Sequence, residues 1–194
     1  MEITSAQLKE LRDLTGISVM QCKKALEEAG GDMDKAKIIL QKKGGEIALK
    51  KSDRELGAGA IGSYVHSTKE VAALVHLACE TDFVSKNEEF VALARDIAMH
   101  VAAQSPLYVT RDEVDEAALS KAREVFALEV KDKPVEMQEK ILAGKLDAYF
   151  KDRILLEQPF IKNGEVTIAN LISNAIQKFG ENVVIKKVSR MSVK

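Results

Sequence analysis

An apolar run from Val71 to Cys79, interrupted only by His76, ends abruptly in Glu80-Thr81-Asp82, and an aromatic, Phe83, follows at once. Its length and its Val and Leu content suit a buried strand. A helical pattern opens a few residues later, so the chain has to turn a strand-to-helix corner with Phe83 on it. An aromatic there is either a plug for the core or a wedge offered to a partner, and position alone does not choose between them.

The chain before this corner changes character once. Residues 1 to about 43 read as three short helices. Thr4 or Ser5 caps the first, with Leu8, Leu11 and Leu14 on one face and Thr15-Gly16 ending it. Ser18, with Gln21 at capping-box spacing, starts the second, whose apolar positions are Met20, Cys22, Ala25, Leu26 and Ala29. Asp32 caps the third, which carries Met33, Ala36, Ile39 and Leu40 and ends at Gly44-Gly45. Such a module has a small core and suits a docking head. The charged stretch Glu46–Glu55 reads as a connector. From Gly57 the residues become small and β-permissive, and with the turn Ser67-Thr68-Lys69-Glu70 and the Val71 run they make a hairpin.

Beyond the corner, Ser85-x-x-Glu88 has capping-box spacing, and a helix is expected from about Asn87 to Gln104, stopped by Ser105-Pro106. Residues 112–153 are helical and acidic, divided into three pieces by Pro134 and Gly144. Gln158–Ile161 is extended, Asn163-Gly164 is a turn, and Val166–Phe179 is an amphipathic helix closed by Gly180. A last strand covers Asn182–Met191. The expected fold is therefore α+β: a helical docking domain plus linker over 1–55, then a core over 56–194 with a three-stranded antiparallel sheet and helices on one face.

Composition narrows the function. Twenty-nine basic against 30 acidic residues leave a net charge of −1, so no whole-molecule field favours direct contact with nucleic acid or an anionic membrane. Cys22 and Cys79 sit in apolar segments and read as buried free thiols, neither a disulfide framework nor a zinc site. The start Met1-Glu2-Ile3-Thr4-Ser5 is no signal peptide, no apolar run reaches membrane-spanning length, and a cytoplasmic location is expected.

Catalytic constellations are missing too. His66, His76 and Cys79 fall on neighbouring strands, but His76 and Cys79 are three apart and point to opposite faces. Gly57-x-Gly59-x-x-Gly62 matches a dinucleotide fingerprint in letters only, since it opens a strand rather than a helix. No metal-spaced cluster or nucleophile motif is present, so the expectation is a non-enzyme without metal or cofactor. Asp82 has a plain reading as a helix cap and His100 as a core-edge histidine.

Leu11-Arg12 with Thr15-Gly16, then Met20-Gln21-Cys22-Lys23-Lys24-Ala25-Leu26 and Gly31-Asp32, resemble the N-terminal domain of the bacterial translation elongation factor Ts family. Cys79-Glu80-Thr81-Asp82-Phe83-Val84 resembles that family's characteristic segment. Ile97–Ala102 and Gln158-Pro159-Phe160 follow in the family's order. The resemblance spans nearly the whole chain. It implies a ubiquitin-associated-like N-terminal head and a guanine-nucleotide exchange factor for elongation factor Tu. In that family the head docks on the GTPase's nucleotide-binding domain. The Asp-Phe pair, Asp82 and Phe83 here with Thr81 and Val84 beside them, reaches the region of the magnesium site and wedges helices apart. Head contacts implied for this chain are Arg12, Val19, Met20 and Lys23, Val19 standing where family members often carry Met. His100 is implied as a further contact. Longer members carry two copies of the core subdomain and this chain reads as one, which implies a homodimer and a two-plus-two complex, with the final strand Val183–Val193 offering an edge. The alternative is an interaction module with the same head that docks without releasing nucleotide. An RNA-binding factor fits poorly with the balanced charge.

Overall fold

The computed structural model describes residues 3–132 and 134–193; Met1 and Glu2, part of the amino-terminal stretch considered above, lie outside them. The first three helices are α1 (Ser5–Thr15), α2 (Val19–Glu28) and α3 (Met33–Lys51). Thr4 and Gln7 form a reciprocal capping box at α1, Ser18 caps α2, and Asp32 Oδ1 accepts from both Asp34 and Lys35 N–H at the start of α3. Gly16 takes the left-handed φ of 68° that ends α1. Leu11, Ile17, Cys22, Ala25, Leu26, Ala36 and Leu40 make a core of their own. Leu14, expected on the inward face of α1, is instead half exposed.

The third helix does not stop at Gly44-Gly45. It continues to Lys51 and packs on α8 (Ile168–Phe179), and Gly44 is what lets the two helices approach. A β-carbon on Gly44 would lie 3.2 Å from the Ser173 side chain and 2.3 Å from Gln177 Nε2. Gln177 uses that nitrogen to donate to Leu40 O at 2.8 Å, which joins the head helix to the core.

The core is built on β1 (Ala58–Val65), β2 (Val71–Cys79) and β5 (Val183–Ser192), antiparallel in the order β1-β2-β5. A register shift between His76 and Leu77 places a bulge opposite, at Lys186. Helix α5 (Glu88–Gln104) covers one face and buries Phe90, Ala94, Ile97 and Val101 against Ala73, Val75 and Leu77. It sits close because Gly62 of β1 faces its backbone: a β-carbon there would come within 2.0 Å of Ala94 O. Of the three glycines that mimic a nucleotide fingerprint, Gly62 thus serves helix-on-sheet packing, while a β-carbon on Gly59 would meet Leu77 O of the neighbouring strand at 2.6 Å.

Two further helices, α6 (Glu116–Val130) and α7 (Val135–Lys151), pair with each other over a separate small core of Ala122, Phe150 and Ile154. The acidic segment forms these two pieces rather than three, because α7 runs through Gly144 in open space. A short hairpin of β3 (Pro159–Phe160) and β4 (Asn163–Thr167) turns at Ile161-Lys162, so Asn163-Gly164 opens its second strand. Among the described residues no helix is long and apolar enough to cross a membrane.

Candidate partner-binding site

β2 delivers the chain to the corner at Cys79, and a one-turn helix, α4 (Asp82–Ser85), follows. Successive residues on a helix point about 100° apart, and the corner uses this offset. Val84 turns inward and is buried in the main core, while Phe83 beside it is 82% exposed. Phe83 is therefore not a core plug. Asp82 is also exposed, and Lys86 Nζ donates to its Oδ2 at 2.6 Å, which holds the carboxyl below the usual carboxylate range. The expected capping box at Ser85 does not form. Ser85 Oγ donates back to Asp82 O, and Asn87 Oδ1 caps α5 by accepting Glu89 N–H at 2.9 Å.

Backbone groups around the corner are taken up from across the core. Glu181 Oε2 accepts Glu80 N–H at 3.1 Å and Thr81 N–H at 3.0 Å, and Thr81 Oγ1 donates to Glu181 Oε1 at 2.5 Å. In return Glu80 Oε1 accepts Asn182 N–H at 2.6 Å, and Arg54 Nη1 donates to Glu80 Oε2 at 3.1 Å. Burial pushes the Glu80 carboxyl up, but the Asn182 N–H and the Arg54 guanidinium outweigh it and leave the group below its usual range. Cys79 Sγ donates to Thr81 O at 3.3 Å; its thiol is pushed up by burial first and by the Glu181 charge second, so it stays protonated. Neither Glu181 nor its reach was visible along the sequence, since a hundred residues separate it from Thr81.

In the head, Arg12 occupies the last turn of α1 and Val19, Met20 and Lys23 the start of α2, on either side of Gly16. All are exposed, Met20 by 66%, so it does not fill the core. Lys23 pairs loosely with Glu27 at 3.8 Å. Arg12 makes no salt bridge to a described residue and lies close enough to Lys178 that burial first, then the Arg12 charge, pushes the Lys178 ammonium down; Lys178 is paired with Glu89. No hydrogen bond or ion pair among the described residues joins these head positions to the Thr81–Val84 corner.

His100 lies elsewhere and wholly inside, so it has no surface to present to a partner. Its Nε2 lies 2.9 Å from Gln158 Oε1 and its Nδ1 accepts Ile161 N–H at 3.3 Å. The Ile161 donor requires an unprotonated Nδ1, so Nε2 carries the proton. Gln158 is buried with it and donates onward to Asp152 O. The ring staples α5 to the β3–β4 hairpin. Burial lowers its pKa, with the Gln158 bond working the other way.

Three N-terminal helices with a core of their own, an antiparallel sheet covered by helices, and an aromatic held out on a braced corner define an α+β protein with an exposed aromatic contact surface. The model of the elongation factor Ts family matches residues 3–193. Relatives named elongation factor Ts include those of Thermodesulfovibrio yellowstonii (45% identical, covering 100% of this chain and 97% of the relative), Fervidobacterium nodosum (46%, 100% and 99%) and Carboxydothermus hydrogenoformans (45%, 98% and 89%). The chain belongs to the elongation factor Ts family, the exchange factors of bacterial translation elongation.

Proposed function

We propose that this chain binds elongation factor Tu and speeds release of its GDP by inserting Asp82-Phe83 near the magnesium and nucleotide site. The observation that carries the reading is the pairing of a buried Val84 with an exposed Phe83 on the same braced turn. A translational GTPase holds its nucleotide through phosphate-loop amides, a lysine and Mg²⁺. A protein expels that nucleotide only by binding the empty state more tightly than the filled one, and by linkage the nucleotide expels the protein equally. A phenyl ring that becomes buried only when the site is opened supplies such a difference, and buried aromatic anchors contribute about 2 kcal/mol or more. This needs binding energy and no covalent step, so the chain is not an enzyme in the usual sense.

Arg12, Val19, Met20 and Lys23 dock the head on the nucleotide-binding domain. The exposed Val19 and Met20, flanked by the charges of Arg12 and Lys23, favour an apolar counter-surface with acidic groups at its edge. The working units are a head over 1–55 and a core over 56–194, in a cytoplasmic protein. The core pairs with a second copy to give a two-plus-two complex. The outer sheet face supports that pairing: register puts Ile61, Val65, Leu74 and Met191 on one side, each more than half exposed.

Release of a fluorescent GDP analogue from elongation factor Tu tests the reading. The parent is expected to accelerate it, and Phe83→Ala to lose most of that acceleration, about tenfold or more. If neither chain accelerates release while both bind, the protein is a docking module only. If both accelerate equally, exchange stands and the wedge does not.

A further inference from the structure

The corner that carries Phe83 is not stabilised by its own helix. Helix α4 has four residues, too few to hold a conformation alone. Thr81 stands at its N-cap position, yet the Thr81 side chain caps nothing and turns to Glu181 instead. One carboxylate takes the hydroxyl of Thr81 and the backbone N–H groups of Glu80 and Thr81, while the next residue, Asn182, gives its own N–H to Glu80. Bonds to an ionised carboxylate are the strong kind.

We propose that Glu181 is a positioning residue for nucleotide exchange. Its carboxylate, delivered by the Gly180-Glu181-Asn182 turn between α8 and β5, sets the direction in which Asp82-Phe83 is presented. The inference rests on the exchange function proposed above. Phe83 is 82% exposed, so its aim is set chiefly by the backbone beneath it. Val84 fixes that backbone on the inner side, and Glu181 fixes the three donors leading into it. A wedge ordered before contact loses less entropy on insertion. The end of α3 reaches the same turn, where Lys51 Nζ donates to Gly180 O, and Arg54 just beyond it donates to Glu80 at the corner. Lys51 and the wedge's corner are thereby fastened to one turn, with Arg54 tied to the corner through Glu80.

The test compares parent, Glu181→Ala, Glu181→Gln, Phe83→Ala and the Glu181→Ala/Phe83→Ala double variant. Release of the GDP analogue from elongation factor Tu is followed over a range of factor concentrations. Glu181→Ala is expected to cut the plateau rate about tenfold while shifting the half-saturating concentration by no more than about twofold, since the head contacts are intact. Glu181→Gln, which keeps one acceptor oxygen, recovers part of the rate. The double variant is no slower than Phe83→Ala, because both changes remove one action. Equal plateau rates for parent and Glu181→Ala, a loss confined to the half-saturating concentration, or losses that multiply in the double variant would each overturn the proposal. Amide hydrogen exchange of residues 80–85 in the free chain tests the brace without the partner: Glu181→Ala is expected to speed it about tenfold, and unchanged protection refutes the brace. A parent that fails to release GDP while Glu181→Ala still loosens the corner sinks the exchange reading and not the brace.

Discussion

Phe83 and Val84 are neighbours with opposite fates, and their variants should differ accordingly. Phe83→Ala removes an exposed ring and should leave the thermal midpoint unchanged while exchange is lost. Val84→Ala opens the core and is expected to cost about 2 kcal/mol in urea unfolding. A Phe83→Ala chain that melts well below the parent would mean that the ring packs inward. His100 gives a second prediction. Burial disfavours its imidazolium, so the folded chain gives up the proton at a lower pH than the unfolded chain, whose value is about 6.5. Between those two values the unfolded chain holds more protons. The contribution of His100 is therefore complete above about pH 6.5 and is lost as pH falls towards the lower, folded value, with a slope of at most about 1.4 kcal/mol per pH unit. Protonated Nδ1 would also face the Ile161 N–H, donor against donor. Urea midpoints from pH 8 to 5.5 should fall for the parent and flatten for His100→Gln.

Within elements, glycines separate those that serve packing from those that merely interrupt. Gly62 in β1 faces the backbone of Ala94, which cannot move aside, so Gly62→Ala should destabilise by about 3 kcal/mol or more. Gly144 in α7 has nothing within 4 Å of a new β-carbon, so Gly144→Ala should stabilise by about 0.5–1 kcal/mol. The two melting curves read this contrast directly, and a destabilised Gly144→Ala would show that α7 bends there. Gly44 explains why α3 runs on to Lys51: contact with α8 outweighs the helix-breaking tendency of two adjacent glycines.

At the scale of the molecule, the sheet is covered on one side and bare on the other. Leu74 stands on the bare face, in the central strand of the β1-β2-β5 sheet. Leu74→Glu would place a charge within any face-to-face pairing of two copies and should shift the mass seen by light scattering from dimer to monomer. Because the residue is half exposed in the single chain, the variant should fold as the parent does. A parent that stays monomeric at every working concentration would end the dimer proposal.

The sequence alone determined what is local. Caps at Thr4, Ser18 and Asp32, the stop at Gly16, the hairpin and the α+β order follow from backbone groups satisfied within a few residues. The Thr81–Val84 corner was legible because an apolar run ending in an aromatic is a local anomaly. Tertiary structure decided what depends on distant partners. It carried α3 past its glycines, put Val84 inside and Phe83 outside, buried His100 with Gln158, and brought Glu181 across a hundred residues to Thr81. These outcomes depend on packing and hydrogen bonding between segments far apart in the chain, and no periodicity or motif along one segment encodes which other segment will satisfy its donors.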